Sequence, residues 1–281
     1  MATIEFKNVD FKYSNNSTEN ILNNVSFTIK EGEFVSIIGG SGCGKSTTLS
    51  LLSGLNHASG GSVTIGGKAV TGPGKDRGVV FQHYALFPWM RAKRNVEFGI
   101  RQVLKADKKT ISEKAEKYLK LVGLEGSEHL FPHQLSGGMQ QRVAIARLLA
   151  MEPDILLMDE PFGAIDAKNR VALQELLLNL LDSEDEKKSV VFVTHDIDEA
   201  ILLSDRILFM RDHEIYRDLK VPFERPRSRE EITASDTYHE FRRELFDLFY
   251  DNDIPRQDKE PEQQKSPVLN FGFGSPIGAV G

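Results

Sequence analysis

The stretch Gly39-Gly40-Ser41-Gly42-Cys43-Gly44-Lys45-Ser46-Thr47 leaves few folds open to the chain around it. It matches G-x-x-x-x-G-K-[ST], and it stands in the context that pattern requires. The apolar run Phe34–Ile38 before it reads as a buried strand, and Thr48-Leu49-Ser50-Leu51-Leu52 after it reads as the first turns of a helix. Glycines let the backbone curl until successive N–H groups face one concavity, an anion-binding nest. The helix that starts there adds its unpaired N–H groups and the positive end of its dipole. In such a loop Lys45 bridges the outer phosphates of a nucleotide and the Ser46 hydroxyl holds a magnesium ion. The strand–loop–helix unit places the chain in the α/β class.

Composition narrows the reading further. At 281 residues the chain is one large domain, or one domain with an insertion and a tail. A net charge of -6 gives no long-range attraction for nucleic acid or acidic lipid. Cys43 is the single cysteine, so an internal disulfide is excluded and a reducing compartment fits. No run approaches the ~18 apolar residues of a membrane helix. Met1–Phe6 alternates like a strand and is not expected to be a signal peptide. Any membrane role is therefore expected to run through a partner.

Along the chain, Ile4, Phe6, Val9 and Phe11 suggest an exposed-edge strand, and Val25, Phe27 and Ile29 suggest a second one antiparallel to it. Tyr13, just after the first strand, can stack on an adenine ring or simply face solvent. Glycine pairs at 60–61 and 66–67 punctuate a hairpin over Ser62–Val70. Gly78–Phe81 is a buried strand ending at Gln82, whose amide oxygen can reach a magnesium ion. Leu86-Phe87-Pro88-Trp89-Met90 is either core or an apolar patch for a partner. From Arg94 to Ala150 the pattern is helical, with Ile111, Ala115, Leu119 and Val122 on one face and Gly123 closing that helix. Within it Leu135-Ser136-Gly137-Gly138-Met139-Gln140-Gln141-Arg142 leads into a helix, a second anion site of the same kind as the first or merely a cap.

Ile155-Leu156-Leu157-Met158 ends in Asp159 and Glu160, the pattern of a buried parallel strand carrying two acids to its C-terminal end. Asp159 is placed to reach magnesium and Glu160 to act as base toward water. Ser189–Thr194 is another buried strand, with His195 following on the same edge as a contact for the γ-phosphate. Arg206–Met210 reads as the final core strand. Beyond Leu219, Pro222 and Pro226 mark a linker. Thr237 and Glu240 then have capping-box spacing ahead of the stripe Phe241, Leu245, Leu248 and Phe249, which is expected to pack back on the core. From about Pro255 the composition predicts disorder.

Taken together these stretches resemble the ATP-binding subunit of ABC transporters. Gly39–Thr47 is similar to Walker A, Gln82 to the Q-loop, Leu135–Arg142 to the ABC signature, Ile155–Glu160 to Walker B, Ala164–Asp166 to the D-loop and His195 to the switch histidine; Tyr13 sits where the family has its adenine-stacking aromatic. Phe162–Asp166 and Leu86–Trp89 resemble the subgroup serving nitrate, sulfonate, taurine or bicarbonate importers. The resemblance implies a P-loop NTPase with a RecA-like core, an antiparallel β layer and a helical subdomain. Its expected domains are 1–220 for the ATPase with a helical insertion at about 90–150, 221–254 for a helical extension, and a disordered 255–281.

It also implies ATP and Mg2+ as ligands and a head-to-tail homodimer or pseudo-dimer. In that dimer Leu135, Ser136, Gly137, Gly138 and Gln140 of one subunit close over nucleotide held by Gly39–Thr47 of the other, and Asp166 is the D-loop residue. A membrane-spanning permease is expected at Gln82–Trp89, with an extracytoplasmic solute-binding protein reached only indirectly and no nucleic-acid partner. Such a subunit sits peripherally on the cytoplasmic face of the cell membrane. The alternative is a soluble ABC-type ATPase without a membrane partner.

Overall fold

A computed structural model of the chain describes residues 3–13, 20–82, 85–181 and 188–250. The tail from residue 255 on, expected to be disordered, lies outside the described residues. Two sheets organise the rest. The larger has six strands in the order β10(Glu214–Lys220), β9(Arg206–Arg211), β3(Phe34–Gly39), β8(Ser189–Val193), β7(Ile155–Asp159), β6(Arg77–Val80). From β9 to β6 every neighbour is parallel. The smaller sheet is antiparallel, in the order β2(Leu22–Ile29), β1(Ile4–Phe11), β4(Gly60–Ile65), β5(Lys68–Ala69). This is the α/β P-loop architecture with an added β layer.

The parallel strands are apolar on both faces because both faces are covered. On β7, Ile155 and Leu157 face the small sheet and α1(Lys45–Ser53), while Leu156 and Met158 face the helices on the other side. Strand β8 divides the same way, Val191 and Val193 against Val190 and Phe192. The helical side is made by α2(Ala92–Val103), α3(Lys108–Leu121), α4(Gly137–Ala150) and α5(Ala167–Leu181). The first three leave the sheet between β6 and β7. Helix α3 is capped by Asp107, which accepts from the N–H groups of Lys109 and Thr110, and it buries Ile111, Ala115, Tyr118 and Leu119.

Strand β1 is not an edge. It pairs with β2 on one side and β4 on the other, so Ile4, Phe6, Val9 and Phe11 are buried. Its apolar spacing skips from 6 to 9 because the ladder is irregular there and Asn8 takes φ +48°, an extra residue that returns Val9 to the buried face. The later hairpin joins the free side of β1, which local alternation cannot reveal. Nor is β9 the last strand. Asp212 and His213, both at positive φ, turn the chain back into β10. Tyr216 is the one buried side chain in seven, with Ile215 and Leu219 only partly buried against different clusters, which leaves that edge strand without a clear period.

Beyond β10, α7(Arg229–Thr233) and α8(Asp236–Tyr250) pack against α6(Ile197–Leu203). Helix α8 buries Tyr238, Phe241, Leu245 and Leu248. The cap expected at Thr237 falls instead to Ser235, whose hydroxyl accepts from the N–H of Tyr238, because the helix starts two residues earlier than that spacing implies. The Tyr238 hydroxyl donates to Asp198 on α6 at 2.8 Å, and Arg242 donates to the same oxygen at 2.6 Å. Leu245 is 0% exposed and Phe246 47%. Leu245→Ala is therefore expected to cost about 2–5 kcal/mol of folding free energy in urea unfolding, and Phe246→Ala under about 1 kcal/mol.

Candidate active site

Because β3, β8, β7 and β6 run parallel, their C-terminal ends meet at one edge of the sheet, and each end delivers polar residues there. Strand β3 ends at the glycine loop. At Gly39, φ is +149° and a Cβ would stand 2.1 Å from the Met210 carbonyl, so the turn needs glycine. Helix α1 then begins with Gly44 as its N-cap, no capping side chain and no acid in its first turn. Its first N–H groups are left to an outside acceptor. Lys45 Nζ donates to the carbonyls of Gly39 at 2.9 Å and Gly40 at 2.8 Å, holding the loop curled around its own ammonium. Ser41 and Gly42 lie exposed at the loop's rim, and Cys43 is buried beneath it, its thiol pKa pushed up by that burial. Thr47 Oγ1 meets the hydroxyl of the exposed Tyr13 at 3.3 Å, and Tyr13 stands edge-on to Phe11.

Ser46 and Asp159, 113 positions apart, meet here: the serine hydroxyl donates to Asp159 Oδ1 at 3.2 Å. Burial pushes the Asp159 carboxyl above its ordinary value and the neighbouring Glu160 charge adds to that, against the Ser46 hydroxyl and Lys45. Glu160 sits between two other predicted residues. Gln82 Nε2 donates to its Oε2 at 3.2 Å, and His195 Nδ1 lies 3.3 Å from its Oε1. The Glu160 backbone has φ +49°, a sparsely populated conformation for a residue with a Cβ. Three bonds hold it there: its N–H donates to the Val193 carbonyl at 2.9 Å, and its carbonyl accepts from Gln141 Nε2 at 3.0 Å and from the Gly163 N–H at 3.3 Å.

Gln141 also accepts from the Ala164 N–H at 3.1 Å, so one fully buried amide ties the start of α4 to the turn after β7. Gln141 lies within the octet, where the sequence pattern assigns it no role. Its only local signal is an amide on the inward side of an otherwise apolar helix. The octet itself is presented outward. Leu135 is buried, Ser136 and Gly137 are exposed, and Gly138 and Gln140 are half-buried. Helix α4 includes both glycines, and the Ser136 side chain caps it by accepting from the Met139 N–H at 3.2 Å. A Cβ at Gly138 would stand 2.9 Å from the Ala164 carbonyl, so the helix start lies directly on the turn that leads to Asp166. Asp166 is held low by hydrogen bonds from the Asn169 side chain and N–H. The structure thus gathers Tyr13, Gly39–Thr47, Gln82, Asp159, Glu160 and His195 at one edge, and presents Ser136 and Gly137 on a separate exposed turn.

A curled glycine loop at an uncapped helix start, with paired acids delivered beside it by a parallel strand, is the arrangement of a P-loop nucleoside triphosphatase. The ABC transporter family model matches residues 22–163. The bicarbonate transport ATP-binding protein CmpD of Synechocystis is 46% identical over 236 residues, 82% of this chain and 82% of that protein. The nitrate import ATP-binding protein NrtD of Synechococcus elongatus is 43% identical over 237 residues, 82% of this chain and 84% of that one. Among solved structures, the dimeric cassette MJ0796 in a post-hydrolysis state bound to ADP and Pi superposes with a TM-score of 0.72 at 38% identity, over 79% of this chain and all of that one. The chain belongs to the ABC transporter family, as an ATP-binding subunit and an ATPase.

The raised Asp159 carboxyl has a consequence for stability. A carboxyl whose folded pKa is raised takes up protons on folding, so its charge destabilises the fold above that pKa and ceases to do so below the ordinary value near 4. Without nucleotide at pH 7, Asp159→Asn is expected to raise Tm by roughly 2 °C, the gain vanishing as pH falls toward 4, as a calorimetric pH series would measure.

Proposed function

We propose that this chain powers an importer of a small anionic or polar solute of the nitrate, sulfonate, taurine or bicarbonate kind, by closing as a head-to-tail dimer over ATP. One observation carries the catalytic part: Glu160 is gripped by Gln82 on one oxygen and His195 on the other, beside the Ser46–Asp159 pair. In this reading Gly39–Thr47 cradle the phosphates, Lys45 turns its remaining N–H to the outer phosphate, and Tyr13 stacks on adenine. The Ser46 hydroxyl, the Asp159 carboxylate and the Gln82 amide form a hard-oxygen donor set that fits Mg2+, an ion that keeps several oxygens from water and phosphate. Bound there, the ion neutralises charge on the phosphates.

Glu160 orients a water molecule and takes its proton as the water oxygen attacks the γ-phosphorus and the bond to the β-phosphate oxygen breaks. His195 is placed to donate to the γ-phosphate while its other face keeps Glu160 in line. The exposed Ser136–Gly137 turn suits a partner's triphosphate: the Ser136 oxygen already accepts within its own helix, and its hydroxyl proton stays free to donate outward. ATP binds the closed pair better than ADP does, and that difference drives the cycle.

A membrane-spanning partner accounts for the aromatic surface that follows Gln82 in the sequence. Trp89 is 69% exposed, and with Phe98 and Phe131 it lines a groove of about 640 Å3 rimmed by Arg91, Arg94 and Arg101. Among the described residues no helix is long and apolar enough to cross a membrane. That aromatic groove favours a permease contact over a soluble ATPase, and co-purification from detergent with a stoichiometric membrane subunit tests it.

Glu160→Gln is expected to retain ATP binding and to lose at least about 100-fold in kcat. Unchanged steady-state phosphate release would remove Glu160 from the role. Ser136→Arg is expected to leave nucleotide affinity within about two-fold while abolishing the ATP-dependent dimer of the Glu160→Gln background in size exclusion. An ATP-dependent dimer that survives Ser136→Arg would overturn the trans site.

A further inference from the structure

One buried polar chain near the site is left unused by this mechanism. Glu199 on α6 is only 7% exposed, and both its carboxylate oxygens are taken. Gln174 on α5 donates to Oε1 at 3.0 Å, and the Thr194 hydroxyl donates to Oε2 at 2.8 Å. Gln174 and Thr194 are 3% and 2% exposed. A charge placed this deep is costly to leave without partners, so the three side chains hold one another in a single geometry. The chain continues outward, since Arg229 on α7 donates to the Gln174 side-chain oxygen. It also continues toward the site. The Thr194 oxygen accepts from the Asp196 N–H at 3.0 Å, closing a ring around the peptide that carries His195. Thr194 N–H bonds to the Ile37 carbonyl in β3, the strand that feeds the glycine loop.

We propose that Glu199 is a positioning residue for ATP hydrolysis, fixing the Thr194–Asp196 peptide so that His195 stays against Glu160, and that Arg229 makes the C-terminal extension a brace for that peptide. His195 is largely exposed and no hydrogen bond of its ring is seen among the described residues, so its 3.3 Å approach to Glu160 depends on its backbone. That backbone is clamped from one side by the Glu199 carboxylate. The carboxylate is clamped in turn by an amide whose far end is held from α7, an element outside the P-loop core. The extension thereby acquires a part in turnover besides packing: its loosening frees Gln174, then Glu199, then the His195 peptide. Nothing in this path touches nucleotide, so it should act on kcat and leave affinity alone.

The inference rests on the role given above to His195, and the experiment separates the two. Thr194→Val is nearly isosteric and removes only the hydroxyl. In the full chain it is expected to lower kcat about 10-fold with KM for ATP within about two-fold. Gln174→Met should lower kcat similarly, and Arg229→Met about three-fold. The deciding readout is a double-mutant cycle with His195→Ala. If the path acts through His195, Thr194→Val changes kcat less than about two-fold in that background. A role in folding alone would lower kcat or Tm equally in both backgrounds, which overturns the proposal, as does full kcat in folded Thr194→Val and Gln174→Met. Full kcat in Arg229→Met alone removes the extension from the path. Full kcat in His195→Ala alone would instead overturn the role of His195, a different result from any of these.

Discussion

The N–H of Glu160 reaches the Val193 carbonyl at 2.9 Å, one rung past the end of β7, and the polar edge of the molecule hangs from that rung. A parallel ladder ordinarily lets a strand run on into its loop. Here the rung and the Gln141 amide bend the chain at once into φ +49°, so the Glu160 side chain turns back over the sheet edge instead of out to solvent. That turn sets Glu160 between Gln82 and His195, while Asp159, still in the strand, points to Ser46. Two adjacent acids thus serve two different neighbours because the backbone between them changes conformation.

The same edge is arranged against its own stability. Asp159 and Glu160 are like charges side by side, both half-buried, and α1 begins without a capping side chain. Lys45 spends two of its protons on loop carbonyls. Each of these features suits a polyanion and a divalent cation better than it suits the chain alone, which is the usual direction of compromise at a functional site. The cost is carried by the two-sided apolar sheet beneath, where β3, β7 and β8 are buried on both faces.

Around that sheet the covering layers differ in what they attach to. The small antiparallel sheet and α1 lie against one face and bring Tyr13 up beside Thr47. Helices α2 to α5 lie against the other and bring the Ser136 turn onto the loop leading to Asp166 through Gly138. Helices α7 and α8 pack on α6, bonding to its half-exposed Asp198, and reach the interior through Gln174 on α5. The first two layers therefore touch the polar edge directly, through Tyr13 and through the Gln141 amide on Glu160, while the third reaches toward it only through Gln174 and Glu199.

Short-range patterns in the sequence were enough for the parts whose physics is local. The glycine loop needs its spacing and its strand–helix flanks, and both are contiguous. The two-sided strands read as unbroken apolar runs ending at Asp159 and His195. Patterns were weaker where burial comes from one side or from afar. Strand β10 carries one buried side chain, the break at Asn8 hides the continuity of β1, and Ser235 caps a helix whose start the capping-box spacing puts at Thr237. Gln141 and Glu199 gave almost no signal, because each depends on a partner that only folding brings near, Glu160 lying 19 positions from Gln141 and Gln174 lying 25 from Glu199. By itself, then, the order of residues determined the class of core, the phosphate loop and which side chains reach the strand ends. The tertiary structure alone decided which of them touch, since a hydrogen bond across 78 or 113 positions depends on strand order and loop conformation, and neither is written in any local period.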